Sequence, residues 1–254
     1  MNHEDTRSTK RTLNKADGCA TLRAVTEDAE IELARIHEEV IACERCPRLV
    51  AYRREVARVR RASFRHENYW GRPVPGFGDP QARLLIVGLA PAAHGGNRTG
   101  RMFTGDRSGD FLYAALFRAG FASQPTSISR DDGLRLTDVF ISAAARCAPP
   151  DNKPLPEELA RCRQFLAREL RALPCVQVIL ALGRIGFDAV VRALADAGHL
   201  APRPKPVFGH GVTRAAGPYT LAGCYHPSQR NTATKLVTPE MYDQIFARIK
   251  ALLK

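Results

Sequence analysis

The sequence lacks the features that mark membrane and secreted proteins. No apolar run approaches the roughly 18 residues that a membrane-spanning helix requires. The first thirty residues are polar and charged, without the apolar centre of a signal peptide. There is an odd number of cysteines, seven, which argues against a framework of disulfides. Together these absences predict a cytoplasmic protein that does not enter membranes.

The chain also lacks the common phosphate-binding motifs. Its longest glycine-rich segment, 88–109, contains neither the Gly-Lys-Ser/Thr of a P-loop nor a dinucleotide fingerprint. Acidic residues are in the minority, with 26 against 38 lysines and arginines and a net charge of +12. This balance favours a nucleic-acid partner, although it also fits a merely well-solvated surface.

Hydrophobic patterning predicts one domain over residues 28–254, preceded by a mobile polar tail over 1–27. Strands are predicted over 82–89, 137–145, 176–183 and 219–225. Helices are predicted near 29–43 and over 108–120, 156–173, 186–198 and 239–254, while prolines and glycines over 73–78 argue against a regular element there. This alternation predicts an α/β fold: a three-layer αβα domain with a central, mostly parallel four-stranded sheet. Ligands of such sheets bind at the carboxyl ends of the strands.

Four cysteines have a spacing that indicates a metal centre. Cys43 and Cys46 form a "CERC" loop after the first helix, with charged neighbours that do not suit a core. Cys147 follows the second strand, and Cys162 lies on the next helix. Four such thiolates can bind a tetrahedral zinc or an iron–sulfur cluster, and the spacing alone does not separate the two. The alternative is that Cys147 and Cys162 are small buried hydrophobic residues. Cys175 and Cys224 lie in apolar runs and are predicted to be core, and Cys19 lies in the tail.

The loop after the first strand is the main candidate for substrate binding. It reads "GLAPAAHGGNRTGRMFTGDRSG", and its glycines allow close approach of the backbone to a ligand. A loop of this length without secondary structure is usually functional or disordered. Phe103, its one aromatic residue, suits a pocket that stacks a planar ring.

At this point the motifs become recognisable. The segments "YWGRPVPGFGDPQARLLIVGLAPAAHGGNRTGRMFTGDRSG", "CERC", "RCAPPDNKP" and "HPSQRN" together resemble the uracil-DNA glycosylase superfamily. The nearest resemblance is to its type-B class, family five, whose members are prokaryotic and carry a four-iron cluster. The resemblance covers about residues 30–254. It implies a monofunctional DNA glycosylase that removes uracil from DNA in base excision repair and leaves an abasic site.

The resemblance also implies roles for particular residues. Phe103 matches the phenylalanine that stacks on the extruded base, with Gly88, Ala90 and Asn97 in the same loop as further base-binding candidates. His226 of the "HPS" motif matches the histidine that donates to the base oxygen O2 as the glycosidic bond breaks. Cys43, Cys46, Cys147 and Cys162 match the ligands of a [4Fe-4S] cluster with a structural role.

Two departures from the superfamily pattern affect the chemistry. The position that activates water in many members is occupied here by the apolar stretch 89–92, so Asp106 is the candidate for that role, with a helix N-cap as its rival function. The asparagine that reads the uracil edge is replaced by Ala143, which leaves Asn152 as the available amide. Loss of an edge-reading amide predicts activity on other deaminated bases such as hypoxanthine.

Positive charge is expected to bind the DNA phosphates. Arg98, Arg101 and Arg230 are the favoured contacts because they lie in active-site loops, and Asn231 could help to fill the space of the extruded nucleotide. The arginines over 53–65 fit either DNA contact or a solvated helix face. His94 has no assigned role.

The expected partner is DNA that contains uracil or another deaminated base, and the protein is expected to be a monomer associated with the nucleoid. A non-catalytic metal-bearing DNA-binding module is the alternative from another class. Such a module would tolerate loss of Asp106 and His226. A relative that crosslinks to the abasic sugar is the alternative among enzymes, but it requires an insertion that the "HPS" region lacks.

Overall fold

The computed structural model describes residues 23–200, 204 and 206–253. Most of the predicted tail, including Cys19, therefore lies outside the described residues. Within them, one mixed sheet carries helices on both faces, which confirms the predicted three-layer α/β architecture. No helix in this part of the chain combines the length and apolar character needed to cross a membrane.

The sheet has six strands in the described residues, so the prediction of four was wrong. The strands are β1 (Phe77–Gly78), β2 (Leu84–Gly88), β3 (Val139–Ala143), β4 (Val178–Leu182), β5 (Thr213–Ala216) and β6 (Tyr219–Cys224). Their order is β1-β3-β2-β4-β6-β5. The four inner strands are parallel and correspond to the four predicted ones.

Both missed strands are antiparallel edges of the sheet. β1 is only two residues long, within the segment where prolines and glycines argued against any regular element. β5 is exposed along its first three residues. Neither strand has the apolar run of a strand that is buried on both faces, which is the pattern that identified the inner four.

Eight α-helices are described around the sheet. They are α1 (Arg23–Ile41), α2 (Pro47–Val59), α3 (Gly96–Thr99), α4 (Arg107–Arg118), α5 (Pro156–Ala172), α6 (Gly183–Asp196), α7 (Gln229–Ala233) and α8 (Pro239–Leu252). Short 3-10 turns cover Ala62–Phe64 and Pro150–Asn152. All five predicted helices are present. The short α3 and α7 lie inside segments that were predicted as loops.

Strand β2 shows how the sequence builds the core. Leu84 and Ile86 face one side, where they join the hydrophobic cluster of α4 and α8. Leu85 and Val87 face the other side and pack with α5 and α6. All four side chains are fully buried, and each such burial stabilises the fold by about 1.5–3 kcal/mol.

The topology directs the loops toward one edge. The chain leaves β2 for β3 on one side and then returns to pair β4 on the other side of β2. A crossover that changes direction in this way opens a crevice outside the carboxyl ends of the strands. The loops after β2, β3 and β6 meet there.

Candidate active site

A cavity of about 930 Å³ lies at this crevice. Its size is within the range of ligand-binding pockets and exceeds what one nucleobase fills. Its wall includes the predicted site residues Ala90, Phe103, Asp106, Asn152 and His226. Residues separated by more than a hundred positions in the chain are thus brought to one place by the parallel sheet.

Phe103 is held against the end of β2 by a glycine. A Cβ atom on Gly88 would lie 2.7 Å from Cζ of Phe103, so only glycine leaves room for the ring. The backbone of Phe103 has φ 52°, which is rare for a bulky residue. Its ring centroid is 5.8 Å from that of His226, with the two planes inclined by 31°. This part of the cavity offers an aromatic face to a planar ligand.

His226 provides an uncharged hydrogen-bonding group. It lies two residues beyond the end of β6, and burial lowers the pKa of its imidazole to about 4. At neutral pH the ring therefore has one N–H donor and one acceptor nitrogen. Asn231 Nδ2 donates to the carbonyl oxygen of His226 at 2.8 Å. A Cβ atom on Gly183 would lie 3.2 Å from Cβ of His226, so the loop is packed closely on the start of α6.

Asp106 has a structural contact and also faces the cavity. It is the N-cap of α4, with Oδ1 accepting from the backbone N–H of Gly109 at 3.0 Å. Burial raises the pKa of this carboxyl group, and the backbone N–H groups of Gly109 and Ser108 oppose the shift. The same residue lines the cavity. The cap and the predicted role in catalysis are therefore compatible.

Asn152 reaches the cavity from the loop after β3. It lies in the 3-10 turn Pro150–Asn152, and both it and Asp151 have positive φ angles of 56° and 52°. Asparagine and aspartate tolerate this conformation better than other residues. The amide of Asn152 is exposed and is the asparagine side chain on the described cavity wall.

Asn97, predicted to bind the base, lies behind the cavity wall. Its side chain is buried, and Nδ2 donates to the carbonyl oxygens of Arg53 and Ala93 at 3.2 and 3.4 Å. Asn231, predicted to contact DNA, holds the His226 loop instead of lining the cavity. The structure thus gives both amides a contact within the protein.

Arg98 and Arg101, predicted to contact DNA, are also buried. Arg98 pairs with Glu67 and donates from Nη2 to the carbonyl oxygen of Gly105 at 2.8 Å. Arg101 pairs with Asp132 at 2.8 Å. Neither side chain lines the cavity, because each is committed to a carboxylate inside the protein. These contacts correct the expectation that both face the phosphates.

Other cations occupy the cavity wall. Arg61, Arg107 and Arg230 line it, and none of the three pairs with a carboxylate in the described part of the chain. Arg230 was predicted. Arg61 belongs to the segment 53–65, whose arginines fitted either DNA contact or a solvated helix face. Arg107 follows Asp106 directly in the chain.

His94, for which the sequence indicated no role, also lines the cavity. Its Nδ1 lies 3.0 Å from the hydroxyl oxygen of Tyr69, which accepts from the backbone N–H of Arg61 at 3.3 Å. The hydroxyl hydrogen is then available to donate to Nδ1. Burial lowers the pKa of His94, and the charges of Arg61 and Arg98 add to this.

The four predicted ligand cysteines are brought together outside the cavity wall. Cys46, Cys147 and Cys162 are each 7% exposed, and Cys43 lies at the end of α1. Burial raises the pKa of the Cys147 thiol to about 12, and the thiols of Cys162, Cys43 and Cys46 act in the same direction. The four sulfurs are thus within electrostatic reach of one another.

The chemistry of this set fits an iron–sulfur cluster. All four groups are thiols, which soft metals prefer. A single tetrahedral zinc requires Zn–S distances of about 2.3 Å. In the described residues, no three His, Cys, Asp or Glu side chains are grouped closely enough to hold one metal ion. Four thiols suit a zinc ion as well as a cluster, so their chemistry does not separate the two. Cys175 and Cys224 are buried elsewhere, as predicted.

Comparisons with known proteins agree with the geometry. The family model "Uracil DNA glycosylase superfamily" matches residues 75–250. The chain is 52% identical over 217 residues to a type-5 uracil-DNA glycosylase of Thermus thermophilus, covering 85% of this chain and 95% of that one. It is 50% identical over 222 residues to a type-5 uracil-DNA glycosylase of Mycobacterium tuberculosis, covering 87% and 81%. A type-4 uracil-DNA glycosylase of Pyrobaculum aerophilum is 30% identical over 165 residues, covering 65% and 67%.

Proposed function

The chain belongs to the uracil-DNA glycosylase superfamily and, within it, to the type-5 enzymes, and from this membership we infer that it hydrolyses the N-glycosidic bond of uracil in DNA. The observation that carries the inference is the convergence of Phe103, Asp106 and His226 on one cavity. The product is an abasic site for base excision repair.

The cavity suits a base that has been rotated out of the duplex. The glycosidic bond is inaccessible inside the helix, so the nucleotide is extruded at a cost of a few kcal/mol. Phe103 offers its ring face to the extruded base. Its ring lies beside that of His226, which places stacking and hydrogen bonding at the same end of the cavity.

His226 stabilises the departing base. As the bond breaks, negative charge develops on the base oxygen O2, and a positioned donor to such an oxygen contributes about 3–4 kcal/mol. His226 performs this role as a neutral imidazole, because burial holds its pKa near 4. A neutral donor stabilises the negative charge on O2 through its N–H and does not protonate the base before the bond breaks.

Asp106 acts on the sugar side of the reaction. Bond cleavage leaves a cationic, oxocarbenium-like sugar that water must attack. The ionised Asp106 carboxylate can face this charge and orient the water while Oδ1 remains bonded to Gly109. Because burial raises its pKa, the carboxyl group is also a better proton acceptor than an exposed aspartate.

We propose that other deaminated bases, hypoxanthine among them, are also substrates. The cavity wall near Phe103 is formed by Leu89, Ala90, Ala92 and Ala93, whose side chains make no hydrogen bonds to a base edge. Asn152 is then the amide available to read the base. A lesion panel in matched duplexes, assayed at single turnover, checks this range. Activity confined to uracil by several orders of magnitude would contradict it.

We propose that Arg61, Arg107 and Arg230 bind the phosphates around the extruded nucleotide. They are the arginines on the cavity wall, and their charges are not neutralised by described carboxylates. The charge of Arg101 is already paired with that of Asp132 inside the protein, so this side chain does not bind a phosphate. The phosphate-binding surface is therefore formed by the rim of the cavity.

We propose that Cys43, Cys46, Cys147 and Cys162 hold a [4Fe-4S] cluster. Such a cluster supplies no step of the hydrolysis. It would cross-link α1 and α2 to the loop after β3 and to α5. Serine replacement of each ligand should abolish the absorbance near 400 nm and the iron content of anaerobically purified protein. Cys224→Ser is the matched control, since Cys224 is equally buried and lies outside the four-cysteine group. Stoichiometric zinc in place of iron would contradict the proposal.

Uracil release from duplex DNA tests the main proposal. A 5′-labelled duplex with one U:G pair should be cleaved at that position after alkali treatment, and the same duplex with C:G should remain intact. The double variant D106N/H226A serves as the control for contaminating activity. Binding of the duplex without base release would support a non-catalytic DNA-binding module instead.

A further inference from the structure

Two arginines are buried in the interior with N–H groups that no atom of the described residues accepts. Arg53, on α2, is 2% exposed, and Arg146, near the start of the loop after β3, is 1% exposed. Within the described part of the chain, the Nε of Arg53 and the Nε and Nη1 of Arg146 have no hydrogen-bond partner. Buried donors of a charged group are costly to leave unpaired, so these three nitrogens indicate a missing acceptor.

The charge of Arg53 has little compensation inside the protein. Its Nη1 donates to the carbonyl oxygen of Gly71, which is neutral. The carboxylate that pairs with it is Glu44, at 3.7 Å, and the Glu44 side chain is 55% exposed. A buried cation with so distant and solvated a counterion requires another source of negative charge.

Arg146 is compensated on one side only. Its Nη2 donates to Ser142 Oγ at 2.9 Å and to the buried carboxylate of Glu169 at 2.5 Å. The Nε and Nη1 remain without acceptors. Glu169 therefore binds one nitrogen of the guanidinium group, Nη2, and the other two nitrogens can still donate.

Both arginines lie beside the four-cysteine group. Leu49, one turn before Arg53 on α2, packs against Cys46 and Cys147. Arg146 precedes Cys147 in the chain, and its backbone N–H bonds to Cys162. The unpaired donors and the thiols thus belong to one region of the interior.

We propose that Arg53 and Arg146 donate hydrogen bonds from these nitrogens to sulfur atoms of the cluster held by the four cysteines. The proposal rests on the cofactor proposed above and is independent of the glycosylase activity. A four-cysteine iron–sulfur cluster carries net negative charge, and hydrogen bonds to its sulfurs are one way in which a protein controls its properties. The two guanidinium groups supply both the charge and the donors.

Arg53 also connects this region to the cavity. Its carbonyl oxygen accepts from Asn97 Nδ2 at 3.2 Å, and Asn97 in turn bonds to the carbonyl oxygen of Ala93. Tyr52, which precedes Arg53 on α2, lines the cavity together with Ala93 and His94. Arg53 is thus a positioning residue that links the four-cysteine group to the loop after β2.

The test uses the iron-loaded protein and reads the Fe–S bonds directly. Hydrogen bonds to sulfur shift the Fe–S stretching bands of the resonance Raman spectrum when water is replaced by D₂O. Arg53→Met should reduce this shift and should accelerate cluster loss to a chelator several-fold. Arg58→Met is the matched control, because Arg58 is also on α2 and is exposed and paired with Glu55. It should leave both readouts unchanged.

Arg146 requires a paired change because removing it alone leaves Glu169 as an unpaired buried charge. The double variant R146M/E169Q removes the charge pair and both unpaired donors together. It should also reduce the D₂O shift. Arg168→Met is its control, since Arg168 lies on α5 with Cys162 but pairs with Glu32 and Glu39 at the surface.

If Arg53→Met does not fold, a more conservative variant provides the test. Arg53→Lys keeps the buried charge but has no Nε group, so it should retain iron and still show a reduced D₂O shift. Unchanged Raman shifts and cluster lifetimes in Arg53→Lys and R146M/E169Q would overturn the proposal. Wild-type protein that excises uracil but contains no iron would also overturn it, while leaving the proposed glycosylase function intact.

Discussion

Oδ2 of Asp106 lies so close to Gly95 that a Cβ atom on that glycine would be 1.9 Å away. Oδ1 of the same carboxylate accepts from the N–H of Gly109. The two contacts fix the carboxylate between the start of α4 and the loop after β2. The absence of a side chain at position 95 is therefore a condition for the placement of Asp106.

Replacement of this glycine should move the carboxylate. Gly95→Ala should lower single-turnover excision of uracil by about 10²–10⁴, the contribution of a positioned base, while DNA affinity changes little. Gly198→Ala is the control. A Cβ atom there meets nothing within 4 Å, so this variant carries the backbone cost of a positive φ without a steric clash. Wild-type excision by Gly95→Ala would show that the position of Asp106 does not matter.

Asp106→Asn separates the cap from the chemistry. Asparagine is as good an N-cap as aspartate, so the melting temperature should stay near that of the wild type. Excision should fall by about 10²–10⁴ because the carboxylate is lost. In the wild type the rate should also fall as the pH drops through the raised pKa of Asp106, and the variant should lack this dependence. If Asp106→Asn excises normally, Asp106 is only the cap, and Asn152 becomes the candidate that positions the water.

His226→Ala should lower the single-turnover rate by about 10²–10³, since it removes one donor to the developing oxyanion. Binding of the uracil duplex should change little because His226 is not a phosphate contact. Quenched single-turnover excision assays measure the rate, and a binding titration on the same duplex measures the affinity. His199→Ala is a useful control, as His199 packs on Tyr219 at the other end of β6 and does not line the cavity. Weakened binding with an unchanged rate would assign His226 to recognition.

The same histidine should make stability depend on pH. Its pKa in the folded protein is about 4, below the ordinary value of 6.5. Between these values the unfolded chain binds more protons, so the free energy of unfolding should decrease as the pH falls from 6.5 toward 4. The full loss is on the order of a few kcal/mol. The free energy of unfolding, measured with denaturant across this pH range, should decrease less steeply for His226→Gln than for the wild type. The same pH dependence in both proteins would show that His226 is not its source.

Replacement of the cavity arginines should weaken DNA binding, whereas replacement of the buried Arg101 should lower the stability of the fold. Arg61→Ala, Arg107→Ala and Arg230→Ala should each weaken binding and reduce the slope of log affinity against log salt by about one. Arg118→Ala is the control, since its ion pair with Asp243 lies away from the cavity. Arg101→Ala should instead lower the free energy of unfolding by about 3–5 kcal/mol, because it leaves Asp132 unpaired. A stable Arg101→Ala with only a DNA-binding defect would restore the expectation drawn from the sequence.

The sequence by itself determined the layers and the inner sheet. Four apolar runs with helices between them lead to parallel strands that are buried on both faces, and their loops must then meet at the carboxyl edge. The resemblance to the glycosylase superfamily assigned roles to Phe103, Asp106, Asn152 and His226 in these loops, and the structure places all four on one cavity. Their catalytic roles remain predictions.

Only the tertiary structure decided which polar residues face that cavity. Arg101 and Arg230 lie in comparable loops and look alike in the sequence. Arg101 is buried because Asp132, 31 residues away, is folded against it, whereas Arg230 meets no described carboxylate. A charged side chain turns inward only where a distant partner offsets its loss of hydration, and that pairing depends on how loops pack across the domain. The edge strands β1 and β5 were missed for a related reason, since each is defined by its neighbour in the sheet and not by its own apolar pattern.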